Sequence, residues 1–245
     1  MIEAVNLRKT HGAVCSVDGV SFSIHGGETV GLFGPNGSGK SSLLRLLLGI
    51  DRPTAGSVLY HGVDFAAAVR HGFQARLITA DAIGPLGMSA ARHMGILARL
   101  AGLTHGAAEY ALDRVGLADR SRSNAASFSM GMRQRLALAC GWLGECDFLV
   151  MDEPTNSLDA GGPSQVTDLA RHVASGGGAV LIASHDAALL ATTCDCILII
   201  EHGRVSDEIR LAGGVDDVAG FGTPPGEGVL DALRASVRPS KGHLS

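Results

Sequence analysis

Gly34-Pro35-Asn36-Gly37-Ser38-Gly39-Lys40-Ser41-Ser42 fits the pattern G-x-x-x-x-G-K-[ST]. Before it, Glu28-Thr29-Val30-Gly31-Leu32-Phe33 reads as a buried strand; after it, Ser42-Leu43-Leu44-Arg45-Leu46-Leu47-Leu48 reads as a helix that Gly49 can end. A strand, a glycine-rich turn and a helix in that order make a P-loop rather than an ordinary surface turn. Its glycines let backbone N–H groups wrap a polyphosphate, and the helix N-terminus adds partial positive charge. Lys40 is placed to reach the β- and γ-phosphates, and Ser41 to hold Mg²⁺.

The whole chain sets bounds on what surrounds that loop. Its 245 residues suffice for one α/β domain carrying an inserted lobe. Hydrophobic residues at 46% and 34 glycines describe a globular protein with many close backbone approaches, and a net charge of −4 supplies no basic field for nucleic acid. No apolar run approaches the ~18 to 20 residues that span a bilayer, and Met1-Ile2-Glu3-Ala4 has no secretory pattern, so a cytosolic location is expected. Cys15, Cys140, Cys146, Cys194 and Cys196 are an odd set without C-x-x-C spacing, which reads as reduced thiols; Cys194-Asp195-Cys196 alone does not make a metal site.

Upstream of the loop, Ile2 to Leu7 and Val20 to Ile24 alternate as strands and predict an antiparallel β-arm, with Lys9-Thr10-His11-Gly12 as a turn. His11 there can meet a nucleotide base or simply be solvated; the residues alone favour the solvated turn. Downstream, Ser57 to Tyr60 and Arg76 to Thr79 read as strands. From Met88 to about Trp142 the pattern turns helical, with Met94, Leu97, Ala98 and Ala101 on one face and Leu136, Ala139, Cys140 and Leu143 on another, which predicts a helical lobe at about 88–143. Its last helix starts at Ser129-Met130-Gly131, an open, donor-rich start suited to a second anion.

Phe148-Leu149-Val150-Met151 is a continuous apolar run ending in Asp152-Glu153, two carboxylates at the carboxyl end of a central parallel strand, where open α/β sheets bind ligands. Asp152 suits the Mg²⁺ shell and Glu153 can polarise water. A helix opened by Pro163 leads to the strand Ala179 to Ser184, and His185 follows on the same edge, able to hydrogen-bond a γ-phosphate. A helix from Asp186 and the strand Ile197 to Ile200 close the body. Residues 211–245 read as a peripheral extension, with one short helix at Val229 to Val237.

In this order the motifs resemble the ATP-binding subunit of ABC transporters, up to about Ile209. The resemblance rests on the P-loop, on Ser127 to Arg135 in the place of the signature, on Asp152-Glu153-Pro154 as Walker B, on Ser157-Leu158-Asp159 as the D-loop and on His185 as the switch histidine. It implies an α/β P-loop NTPase core with an antiparallel arm and inserted helical subdomain, within residues 1–210. It also implies ATP and Mg²⁺ as ligands, with Glu153, His185 and Lys40 catalytic. The resemblance moves His11 to the position of the family's adenine-stacking aromatic. It makes Ser129 and Gly131 the lid over ATP bound by a second subunit, so the chain is expected to pair as a homodimer or heterodimer.

Two departures qualify this. The signature reads Phe-Ser-Met-Gly-Met, similar to drug, antibiotic and lantibiotic exporters whose membrane subunit is a separate polypeptide. Gln74 comes too early for the Q-loop, which puts Asp81, or else Ala80, in that place, where Asp81 would approach Mg²⁺ through a water. The resemblance thus implies an exporter ATPase that touches the membrane only through transmembrane permease subunits, with an importer ATPase or a soluble ABC ATPase as the rival readings.

Overall fold

The computed structural model describes residues 1–79, 87–211 and 233. Around the P-loop strand β3 (Thr29–Phe33) stands a six-stranded sheet that also contains β5 (Ala75–Ile78), β6 (Phe148–Asp152), β7 (Ala179–Ser184), β8 (Cys196–Glu201) and β9 (Arg204–Arg210). Their spatial order is β5-β6-β7-β3-β8-β9, and all neighbours are parallel except β8 and β9. Five strands are continuous apolar runs or nearly so because both faces are covered.

Those faces can be read residue by residue. Leu32, Val150, Leu181 and Leu198 join one core with Leu43, Leu44 and Leu47 of α1 (Lys40–Leu47). The alternate residues Leu149, Met151, Val180, Ile182, Ile197 and Ile199 join the other core, with Val166 and Leu169 of α6 (Gly162–Ser175) and Leu190 of α7 (Ala187–Thr193). The period of two is the strand period, and each half of it has its own helix layer.

The arm is a separate three-stranded sheet of β1 (Ile2–His11), β2 (Val14–Ile24) and β4 (Ala55–Tyr60) in the order β2-β1-β4, antiparallel throughout. The expected turn at Lys9 to Gly12 is corrected here: Lys9, Thr10 and His11 continue β1 in register with Val17, Cys15 and Val14, and the reversal falls at Gly12, whose φ is +59°. Thr54 holds this end of β1, because its hydroxyl accepts from the Thr10 N–H at 3.1 Å and its own N–H donates to the Arg8 carbonyl. A short helix, α2 (Phe65–Arg70), capped by the Asp64 carboxylate on the Ala67 N–H, was not legible in the sequence.

The helical region resolves into α3 (Ala90–Leu100), α4 (His105–Arg114) and α5 (Met130–Gly141), with 3-10 turns at Ala118–Arg120 and Ala125–Ser127. Ser89 and Ser129 cap α3 and α5 by accepting the N–H groups of Arg92 and Met132. Met94 and Ala98 are buried as their spacing predicts, whereas Ala101 is an exposed helix cap. Within the C-terminal extension, Leu233 is helical and fully buried in the larger core, so that residue belongs to the interior rather than the periphery.

Candidate functional site

The sheet order brings three distant segments to one edge. β3 lies between β7 and β8, and β6 lies beside β7, with Phe33 opposite Ser184 and Asp152 opposite Ala183. The P-loop leaves β3, Asp152-Glu153 ends β6 and His185 follows β7, so all three meet at the carboxyl edge.

The loop's glycines are held by close backbone approaches. A Cβ on Gly34 would lie 2.3 Å from the Ile200 carbonyl oxygen, and one on Gly39, which has φ +108°, would lie 2.2 Å from the Ser16 carbonyl oxygen. Only glycine fits either place. Gly39 is the N-cap of α1, which leaves the helix's first N–H groups pointing into a cleft of about 210 Å³. Asn36, Gly37, Lys40, Ser42, Asp152 and Glu153 line that cleft, together with Gly39 and Ser41. Ser38 is 5% exposed, its hydroxyl oxygen has no partner, and it does not line the cleft.

Lys40 is buried, and its ammonium donates to the carbonyls of Gly34 at 2.7 Å and Pro35 at 3.2 Å. Burial pulls its pKa down; the neighbouring carboxylates of Glu153, 3.9 Å away, and Asp152 pull it back up. The Ser41 hydroxyl donates to Asp152 Oδ2 at 2.8 Å. Burial raises the Asp152 pKa against that hydrogen bond, and the Glu153 charge raises it further. Ser41 and Asp152 thus offer one hydroxyl and one carboxylate at a single point. Among the described residues no three His, Cys, Asp or Glu side chains gather as a metal cage. A sparse all-oxygen set beside a phosphate cradle fits Mg²⁺, which keeps waters and takes phosphate oxygens for the rest of its shell.

Glu153 is the most constrained residue of the site. Its φ is +48°, a left-handed conformation that costs a side-chain-bearing residue about 1–3 kcal/mol. Its N–H donates to the Ala183 carbonyl at 2.8 Å, which ties β6 to β7 beyond their last strand pair. One carboxylate oxygen, Oε2, meets His185 Nδ1 at 2.9 Å and accepts from the Ser184 hydroxyl at 3.3 Å. The other, Oε1, is buried without a hydrogen-bond partner and lies nearest Lys40. A carboxylate hydrogen-bonded on one oxygen and not on the other keeps acceptor capacity for a proton.

The remaining expected residues stand apart. His11 is exposed at the end of β1 opposite Val14 and does not line the cleft. Ser16 on the neighbouring strand does line it; no motif marks Ser16, because it enters only through the close packing of β2 on the loop. Ser129 and Gly131 open α5 outside the lining, and a Cβ on Gly131 would lie 2.7 Å from the Ser157 carbonyl oxygen. Ala80 and Asp81 lie outside the described residues.

Comparison with known proteins follows this geometry. The family model described as ABC transporter matches residues 17–156. The chain is 32% identical over 212 residues to the uncharacterized ABC transporter ATP-binding protein YybJ of Bacillus subtilis (strain 168), an alignment covering 86% of this chain and 97% of that protein. It is 33% identical over 227 residues to the daunorubicin resistance ATP-binding protein DrrA3 of Streptomyces coeruleorubidus, covering 86% of this chain and 70% of that one. A solved structure described as the ATP binding subunit of an ABC transporter superimposes with a TM-score of 0.78 at 25% identity, over 96% of this chain and 99% of that chain.

Proposed function

From the premise that this chain belongs to the ABC transporter family, as one of its ATP-binding, ATP-hydrolysing subunits, we propose that it drives an exporter whose membrane subunits are separate polypeptides. The observation that carries the chemistry is the meeting of Lys40, the Ser41–Asp152 pair and the Glu153–His185 pair on one sheet edge. Residues 34–42 wrap the phosphates with backbone N–H groups, and Lys40 exchanges its two carbonyl acceptors for β- and γ-phosphate oxygens. Ser41 and Asp152 hold Mg²⁺, which neutralises phosphate charge when bound. Glu153 takes a proton from water as the new bond to γ-phosphorus forms and the bond to the bridging oxygen of ADP breaks. His185, whose ring N–H rests on Glu153 Oε2, passes that hydrogen bond to the γ-phosphate oxygens as their charge develops.

Ser129 and Gly131 do not line the cleft in their own chain. Their open helix start instead caps the nucleotide of a second subunit, so two chains form two composite sites. His11 contacts the base; Ser16, two residues along β2 from His11's register partner Val14, already lines the cleft. The export direction is supported by the Met-containing signature and by relatives such as the daunorubicin resistance protein. Attachment to the membrane runs through the permease: among the described residues no helix is long and apolar enough to cross it.

Mixing tests the composite site. Ser129→Arg and Lys40→Ala chains, each inactive alone, should regain part of the ATPase activity when combined, since one site then has both halves intact. No recovery, or loss of ATP binding by Ser129→Arg monomers, would refute assembly in trans. Inverted vesicles containing the chain and its membrane subunits should take up exported compounds only with MgATP; uptake requiring a soluble binding protein would refute export.

A further inference from the structure

The turn that follows β6 carries two strained residues, Glu153 at φ +48° and Ser157 at φ +68°. Neither is glycine, and both need support from outside the turn. Inside it, Asn156 N–H donates to the Glu153 carbonyl and Leu158 N–H to the Thr155 carbonyl, which closes the loop but does not anchor it. Glu153 N–H is tied to the Ala183 carbonyl at the start of the turn, and the anchor for the rest is one face of α5. Gly131, Gln134 and Arg135, spaced i, i+3 and i+4, touch Ser157, Pro154 and Asp159 in turn. Gly131 lets the helix approach so closely that a Cβ would stand 2.7 Å from the Ser157 oxygen. Gln134, 1% exposed, donates its amide to the Pro154 carbonyl at 2.8 Å, and Arg135 pairs with Asp159.

Gln134 is chemically conspicuous. Its amide oxygen is buried with no partner, so a methionine of similar length would fill the same space and remove that orphaned oxygen, leaving only the Pro154 carbonyl without its donor. What methionine cannot do is hold the Pro154 carbonyl, and the peptide bearing that carbonyl is one residue from Glu153. We infer that Gln134 and Arg135 are positioning residues for Glu153, clamping its strained turn to the helix that begins with Ser129. The inference rests on Glu153 being the general base. With Pro154 released, the 153–157 turn relaxes and the carboxylate swings away from His185. Because α5 also carries Ser129 and Gly131, one rigid piece sets both the base that a chain uses at its own ATP and the cap that it lends to its partner.

The test is a double-mutant cycle on the full chain, reading single-turnover ADP formation from MgATP, ATP affinity and thermal stability. Gln134→Met should slow turnover about tenfold or more while leaving ATP affinity unchanged and thermal stability only slightly changed, because the orphaned amide oxygen goes as the Pro154 carbonyl loses its donor. In the Glu153→Gln background the same substitution should have no further effect, because the group it positions is gone. Arg135→Glu should slow turnover as well, and Asp159→Arg added to it should restore part of the rate. Wild-type turnover by Gln134→Met, weakened ATP affinity, or rate losses that multiply in the double variant would overturn the positioning role while leaving Glu153 as base. A Glu153→Gln chain with wild-type turnover would instead overturn the assignment of the base, and this inference with it.

Discussion

Glu153→Gln changes one atom of the site and separates binding from hydrolysis. The amide keeps the size and can still present oxygen to the Ser184 hydroxyl and His185 Nδ1, at the 3.3 Å and 2.9 Å now spanned by the carboxylate. It then turns an NH₂ group toward the position of Oε1, where water would deliver its proton, and an amide does not accept one. Loss of general-base catalysis costs ~10²–10⁴ in rate, which corresponds to about 2.7–5.5 kcal/mol of transition-state stabilisation. The electrostatic neighbours respond in opposite senses. Asp152 loses a like charge that raises its pKa, so it stays a carboxylate to lower pH and keeps its place beside Ser41. Lys40 loses a carboxylate that raises its pKa, so its already lowered value falls further and it gives up its proton at lower pH than in the parent. The variant should therefore bind MgATP about as well as the parent near neutral pH, accumulate as an ATP-bound dimer, and lose affinity earlier as the pH is raised. Single-turnover rates and size-exclusion chromatography with ATP across pH would measure all three. A rate within about threefold of the parent, in a preparation free of other ATPases, would remove Glu153 from the proton transfer.

Ser41→Ala removes the hydroxyl that bonds Asp152, and the Mg²⁺ concentration for half-maximal ATPase should rise about tenfold, the scale of a lost ligand or its support; an unchanged Mg²⁺ titration would place the metal elsewhere. Gly39→Ala places a Cβ 2.2 Å from the Ser16 oxygen at φ +108°, so about 2 kcal/mol or more of stability and nearly all ATP binding should be lost, as calorimetry would show. His93 is buried in α3, and desolvation lowers its pKa below the usual 6.5, so the unfolded chain takes up the proton first as pH falls. The stability that this neutral histidine contributes is present above about pH 6.5 and lost as pH falls toward its folded value. The melting temperature should drop over that interval in the parent and drop less in His93→Leu; identical pH profiles would refute the assignment.

Much of the site is legible along the chain because its signals are local. A strand, a glycine-rich turn and a helix suffice to mark residues 34–42, and an apolar run ending in two carboxylates marks Asp152 and Glu153 without knowledge of any distant residue. The helix cap at Ser129 and the burial of Met94 follow from short-range hydrogen bonding and the helical period. Tertiary structure decided what depends on contacts between segments far apart in the chain. The extension of β1 through His11 comes from pairing with β2 and from Thr54, some forty residues away, which override the turn chemistry of Gly12's neighbours. Ser16 enters the cleft only because β2 packs on the loop at Gly39. The order β6-β7-β3 sets the P-loop, Glu153 and His185 side by side, and no periodicity specifies a strand order. The left-handed backbone of Glu153 is the extreme case: its local preference opposes that conformation, and the contacts that hold it come from distant segments, the Ala183 carbonyl on its N–H and Gln134 on the Pro154 carbonyl beside it.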